Sequence, residues 1–237
     1  TAEELVEALR HLPRNKAADA CGFRSEHIAL VLEGAAHEDL LELPAVSAWV
    51  HAFNEIFDSG VVPEEWCRQV IIALHKGKGK PASKVTSYRA ITVANRLLSV
   101  MDRIIHARLA AFAERLGLFG DEQYGWRKER STEQAVTALV LLVEARAMSG
   151  RTPSERRTYC AFLDVASAFD SVCREDLVVK LYNEGIRGKV LAYLRASPLL
   201  RYTRSVRCSG APINGNAWSD TRGVSQRLTS LANMTVS

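Results

Sequence analysis

The apolar residues of this chain change their spacing at residue 70, and a fold made of one kind of element cannot satisfy both patterns. Up to Gly60 the spacing is helical. Leu5, Val6, Leu9 and Leu12 mark a helix from Ala2 to Leu12 that Pro13 ends. Asn15 to Gly22 reads as a loop, and Ser25 is placed to cap a short helix through Leu32. Pro44 opens a longer helix with Val46, Trp49, Val50, Phe53, Ile56 and Phe57 on one face, a stripe that reads as core packing, and Gly60 just past its end. At Val70 the period shifts. Val70 to Leu74 reads as a buried strand and Tyr88 to Val93 as its partner, with a Gly, Lys and Pro turn from His75 to Pro81 between them. Helical spacing then returns. Asn95 caps a helix to Leu116, with Leu98, Met101, Ile105, Leu109 and Phe112 apolar and Gly117 as its stop. Ser131 and Gln134 form a capping box for a helix carrying Val136, Leu139, Val140 and Val143 as far as Gly150.

Arg151 to Arg157 is a polar linker with Pro153 and marks a subdomain boundary. Beyond it, Glu175 and Asp176 suit the first turn of a helix reaching Asn183, with Gly185 at its end, and a second helix spans Lys189 to Ala196. Leu199 to Cys208 and Ala217 to Val224 read as strands around the turn signal Asn214-Gly215-Asn216.

Three stretches carry residues suited to chemistry. Tyr159 to Leu163 is an apolar run of strand length with no charge until Asp164, and a second aspartate, Asp170, follows after small residues. A carboxylate where such a run ends can hold a divalent cation at a sheet edge. It can equally satisfy loose backbone donors at a strand end. Arg127, Lys128 and Arg130 stand around Tyr124 and Trp126, which suits a single-stranded nucleic acid with phosphates held ionically and bases stacked. Trp126 also fits the part of a core anchor. Lys76 and Arg89 flank the predicted hairpin turn, a point charge and a planar fork of the kinds that suit phosphate oxygens, and Lys78, Lys80 and Lys84 either extend that patch or form a solvated, flexible basic turn. A Walker loop is excluded, because G-x-x-x-x-G-K is absent.

Phe162-Leu163-Asp164-Val165-Ala166-Ser167-Ala168-Phe169-Asp170 resembles motif A of reverse transcriptases, most closely those of non-LTR (LINE-type) retrotransposons. Asn15-Lys16-Ala17, Trp66 to Gly79, Ser87-Tyr88-Arg89-Ala90-Ile91, and Gln123 to Lys128 running into Ser131-Thr132 follow that family in the same order. The resemblance implies an α/β chain with the right-hand polymerase fold. Residues 1–157 would be helical fingers and residues 158–237 a partial palm with a mostly antiparallel, ferredoxin-like sheet. It implies RNA-directed DNA polymerase activity on an RNA template and DNA primer, with deoxynucleoside triphosphates as substrates and two Mg²⁺ ions as cofactors. Asp164 would be the catalytic metal ligand, joined by the Val165 carbonyl. Lys76, Arg89, Phe169 and Gln226 would contact the nucleotide, and Arg127, Lys128 and Arg130 the template. Phe169 would exclude a ribose 2′-hydroxyl, or else is a core residue.

Departures from the family pattern are equally legible. Gly223-Val224-Ser225-Gln226 resembles the start of motif B, but Arg227 stands where a glycine is usual. Asn15 to Gly22 loses the usual proline and glycine of its motif, Tyr88-Arg89-Ala90 lacks the usual proline after Arg, and these drifts look like relaxed sequence. The chain contains no Asp-Asp pair. Thr1-Ala2-Glu3-Glu4 reads as a fragment boundary, so the chain is expected to be incomplete and inactive by itself. A group II intron maturase-like enzyme and a non-catalytic nucleic-acid-binding remnant are the alternatives.

Composition narrows the setting. The 47% apolar and 24% charged shares of the 237 residues are ordinary for a globular protein, and the net charge of +4 permits nucleic-acid binding without requiring it. No apolar run suggests a membrane span. Five scattered cysteines without a C-x-x-C pair speak against a disulfide framework or zinc site and fit an intracellular place, nuclear or cytoplasmic.

Overall fold

The computed structural model describes residues 1–33, 37–77, 79–150, 152–165, 172–197 and 205–206. Helix α1 (Ala2–Arg10) begins in a capping box made by Thr1 and Glu4. Short helices α2 (Ser25–Leu30) and α3 (His37–Glu42) lead to α4 (Pro44–Ser59), which Gly60 ends at φ 67°. That left-handed conformation suits a residue without a Cβ. After α5 (Glu64–Cys67), strands β1 (Val70–His75) and β2 (Tyr88–Val93) pair antiparallel from Val70↔Val93 to His75↔Tyr88. The remaining helices are α6 (Arg96–Arg115), α7 (Thr132–Ser149), α8 (Arg174–Asn183) and α9 (Gly188–Ala196). Strand β3 (Ser205–Val206) adds a short parallel pairing to β1, giving the sheet order β2-β1-β3. The class is therefore α/β, with helices predominant.

One core joins these helices. Leu5, Val6 and Leu9 of α1 pack with Val46, Phe53 and Ile56 of α4 and with Leu98, Met101, Ile105 and Leu109 of α6. Leu177 and Leu181 of α8 and Leu191, Tyr193 and Leu194 of α9 belong to the same cluster, so the core draws on residues from both sides of the linker at 151–157. Tyr193 is fully buried, and its hydroxyl donates to Asp102 Oδ1 at 2.6 Å. Burial and the Asp102 carboxylate push its phenol well above the ordinary value. Arg108 of α6 forms a bidentate pair with Glu4 of α1 at 2.7 and 2.6 Å, which lowers the Glu4 carboxyl to about 2.

Asp19 ties the loop before α2 to the start of α6. Its Oδ1 accepts from the backbone of Cys21 and Phe23 at 3.0 and 2.9 Å, and its Oδ2 accepts from Arg96 N at 3.1 Å. Arg96 returns a guanidinium bond to the Ala17 carbonyl, and Asn95 separately caps Leu98 N at 3.1 Å. A buried carboxylate that accepts three N–H groups at a helix N-terminus is well compensated. The residues that look relaxed in sequence have thus replaced backbone stiffness with a hydrogen-bonded knot.

The strand expected to be buried from Val70 to Leu74 is buried only at Val70 and Ile71, and Leu74 is 53% exposed because the turn end of the hairpin projects from the core. Three further expectations need correction. Ser25 does not cap α2: Arg24, extended at φ −116° and ψ 160°, takes that place, and Ser25 is the first helical residue with its side chain buried. The ring of His27 accepts from Arg24 N at 3.4 Å, which satisfies the N–H of the cap residue itself and leaves the first-turn N–H groups without the side-chain oxygen expected of a serine cap. Helix α7 starts at Ser131 and stops at Gly150 as expected, but none of its residues is buried, and Val136 and Leu142 are 55% and 63% exposed. Its apolar residues go around the helix rather than along one stripe, so no single face is committed inward. Finally, Tyr159 to Leu163 forms no strand, and Phe162 and Leu163 are 83% and 96% exposed. A strand exists only with a neighbour for its peptide groups, and none of the described strands pairs with this segment. The expected strands at 199–208 and 217–224 lie outside the described residues, apart from β3.

The Asp19 knot makes a direct prediction. Asp19→Ala strands three donors at once and should cost about 3 kcal/mol in urea unfolding. Asp19→Asn, which keeps one acceptor oxygen, should cost clearly less. An unchanged midpoint for the alanine variant would show that the loop is held by something else.

Candidate nucleic-acid interface

The first cationic element is the β1–β2 hairpin. Its turn passes through Gly77 and Gly79 at φ 65° and 70°, positions where a side chain would be strained. Lys76 is anchored there: its Nζ donates to the Thr86 carbonyl at 2.8 Å and its backbone N–H to Ser87 O at 2.8 Å. Tyr88 closes the turn by donating to Ala82 O at 2.9 Å, with its ring edge-on to His75 at 5.0 Å. Arg89 lies opposite Leu74 in the register and is exposed, as are Lys80 and Lys84. The hairpin therefore brings Lys76 and Arg89 to one end of the sheet, with Lys76 partly occupied in holding the turn. Lys78 lies outside the described residues.

The second element is the loop between α6 and α7. Gly117, at φ 62°, ends α6 through Leu118 N–H donating to Ala113 O at 3.0 Å. Arg127 then folds back on the helix. Its Nε and Nη2 donate to the two carboxylate oxygens of Glu114 at 2.9 and 2.8 Å, and its Nη1 donates to Gly120 O at 2.8 Å. Its guanidinium also lies 4.9 Å from the Phe119 ring centre. This planar fork-to-fork pair lowers the Glu114 carboxyl and raises Arg127 from their ordinary values. Arg127 is thus largely committed to organising the loop.

What the loop presents follows from that anchor. Trp126 and Glu129 take left-handed φ values of 63° and 62°, which cost side-chain-bearing residues energy that surrounding contacts must offset. Trp126 is 56% exposed, so its indole is on the surface rather than in the core. Arg130 lies over the Tyr124 ring at 5.5 Å and 3.7 Å from Asp121, while Lys128 is exposed. Glu114, Tyr124, Lys128, Arg130 and Gln134 line a recess of about 670 Å³ beside Arg127. Arg127, Lys128 and Arg130 are therefore brought together around one surface. Glu114 and Phe119 escaped the sequence reading, because their role depends on the turn at Gly117 and Gly120 rather than on any local pattern.

Asp164 and Val165 stand in an exposed segment without regular structure. Their oxygens are of the hard kind that Mg²⁺ prefers. Among the described residues, no group of three His, Cys, Asp or Glu side chains gathers where a metal could sit, so these two donors are at most part of a cage. Phe169, Asp170 and Gln226 lie outside the described residues. Among the described residues no helix is long and apolar enough to cross a membrane.

The family described as "Reverse transcriptase (RNA-dependent DNA polymerase)" matches residues 75–216, more than half of the chain, including the hairpin turn, the α6–α7 loop and Asp164. The "Probable RNA-directed DNA polymerase from transposon BS" of Drosophila melanogaster is 27% identical over 184 residues, covering 76% of this chain and 18% of that protein. The "RNA-directed DNA polymerase from mobile element jockey", also of Drosophila melanogaster, is 32% identical over 162 residues, covering 64% and 17%. The X-element polymerase of the same fly is 29% identical over 131 residues, 54% and 14%. This chain belongs to the reverse transcriptase family, in the LINE-type branch that its motifs resemble. It spans less than a fifth of the length of these relatives.

The Glu114–Arg127 pair gives a test of the loop. Glu114→Ala should speed backbone amide exchange over residues 118–130 by roughly tenfold, because the loop loses its tie to α6. Arg127→Lys should do nearly the same, since an ammonium cannot span both carboxylate oxygens. Unchanged exchange in both variants would mean that the pair does not order the loop.

Proposed function

We propose that this chain is the fingers and part of the palm of a non-LTR retrotransposon reverse transcriptase, with residues 1–157 and 158–237 as the two parts of a right-hand polymerase fold. The observation that carries this reading is the Arg127-anchored loop, which gathers Lys128, Arg130 and Tyr124 around one recess and carries an exposed Trp126, within the matched family region. Such a surface suits an RNA template strand: cations hold the phosphates and the aromatic rings offer stacking area. The exposed Arg89 at the turn end of the hairpin has the planar fork that suits triphosphate oxygens, with Lys76 as a nearby point charge. Asp164, with the Val165 carbonyl, supplies part of the ligand set for two Mg²⁺ ions. Bound metal of this kind activates a primer 3′-hydroxyl and stabilises the departing pyrophosphate. By the motifs they belong to, Phe169 would select a deoxynucleotide by excluding a 2′-hydroxyl and Gln226 would contact the nucleotide. Free thiols at Cys21, Cys67, Cys160 and Cys173 support a nuclear or cytoplasmic place.

Arg227 favours a second reading. A side chain at a position where the family's glycine lets the backbone approach template and nucleotide suits a nucleic-acid-binding remnant that no longer catalyses.

A chimera separates the two. A related palm's motifs B and C are joined after Asp220, and primer extension on RNA is measured with Mg²⁺. The polymerase reading expects extension, its loss to background in Asp164→Asn, and ribonucleotide incorporation in Phe169→Val. A chimera that extends primers equally well with Asn at position 164 would remove Asp164 from the chemistry. A chimera that binds template but never extends would favour the remnant.

A further inference from the structure

A second recess lies far along the sequence from the α6–α7 loop, between the end of α1 and helices α2 and α3. It has a volume of about 280 Å³ and is walled by Leu9, Leu12, Ala29, Leu32 and Leu40. Arg10 and Arg14 line one part of it and Glu33 another. Ser25 also lines it, is 1% exposed, and has a hydroxyl with no hydrogen-bond partner. A buried hydroxyl left unpaired is costly, so a cavity wall carrying one is suited to a ligand with a polar edge. The charged lining is two cations, Arg10 and Arg14, against one acid, Glu33, and α2 and α3 carry Glu26, Asp39 and Glu42 as well, so positive charge is concentrated on the side of the chain that leaves α1. From residue 10 to residue 24 the chain carries Arg10, Arg14, Lys16 and Arg24, and its one acid there, Asp19, is buried and satisfied within the loop knot.

We propose that this recess holds one unstacked nucleotide of a single-stranded RNA. The base lies among the leucines with an edge on the Ser25 hydroxyl, and the flanking phosphates lie on Arg10 and Arg14, away from Glu33. Apolar walls with a single polar group and cations at the rim match the three parts of a nucleotide better than a purely apolar or purely anionic ligand. The site would give the strand a second hold, independent of Lys128 and Arg130. It rests on the reading of the chain as a polymerase domain that handles RNA.

The experiment uses the whole 237-residue chain and a 12-nucleotide RNA carrying photoreactive 4-thiouridine. Crosslinks are expected within residues 9–14 and 25–33, and Ala29→Phe, which fills the recess, should remove them. Arg10→Gln with Arg14→Gln should make the salt dependence shallower by about 1.4 in log–log slope, two phosphates at about 0.7 each. Both arginines are exposed, so circular dichroism should show an unchanged fold. Crosslinks confined to 124–134, with a slope altered by Lys128→Gln and Arg130→Gln alone, would overturn this site while leaving the functional reading intact. Failure to bind any RNA would overturn both. An acidic, leucine-rich peptide that occupies the recess while RNA does not would assign it to a protein partner and overturn the proposal.

Discussion

Burial of the α6 stripe Leu98, Met101, Ile105 and Leu109 in the core shared with α1 and α4 is the constraint on which the cationic surfaces depend. Helix α6 is held along its length by this contact and by the Arg108–Glu4 pair. Its two ends then serve as fixed points. At the N-terminal end, Asp19 and Asn95 satisfy free helix N–H groups and tie down the loop at residues 15–24. At the C-terminal end, Glu114 captures Arg127 and sets the course of the cationic loop. An apolar contact in the interior thus fixes where positive charge appears on the surface.

The division of labour among the basic residues follows from geometry rather than from charge. Arg127 spends its donors on the Glu114 carboxylate of α6 and on carbonyls of its own loop, and Lys76 on a carbonyl of its own turn, which ties both segments down. Arg89, Lys128, Lys80 and Lys84 remain exposed, which suits the proposed contact with phosphates. For the proposed binding, a loop already tied down would lower the ordering cost, because it need not be fixed at the moment the strand arrives. The left-handed Trp126 fits this picture: backbone strain is tolerated where neighbouring contacts hold it, and the indole is directed to solvent as a result.

Local signals in the sequence proved legible. Pro44 and Gly60 bound α4, Asn95 and Gly117 bound α6, and the Ser131–Gln134 box opens α7, because each signal acts within one turn of helix. The pairing of the two hairpin strands was also readable from their apolar runs and glycine-rich turn. What escaped depends on distant partners. Asp19 meets Arg96 across 77 positions, and its role was hidden inside a motif that looked degenerate. The Tyr159–Leu163 run has strand composition, but composition does not supply a neighbouring strand. Of the candidate site, the cationic clusters at 76–89 and 127–130 were visible in the sequence. The commitment of Arg127 to Glu114 was not, because it takes the reversal of the chain after α6 to bring them together.

The proposed hold of these loops on a nucleic-acid strand through its phosphates is tested most directly by equilibrium binding of a fluorescent RNA–DNA template–primer from roughly 50 to 200 mM salt. Such a hold predicts a straight, steep fall of log affinity with log salt, and a shallower line when Lys128 and Arg130 are replaced by glutamine. Affinity that stays flat across that range, or a slope the two replacements leave untouched, would contradict it.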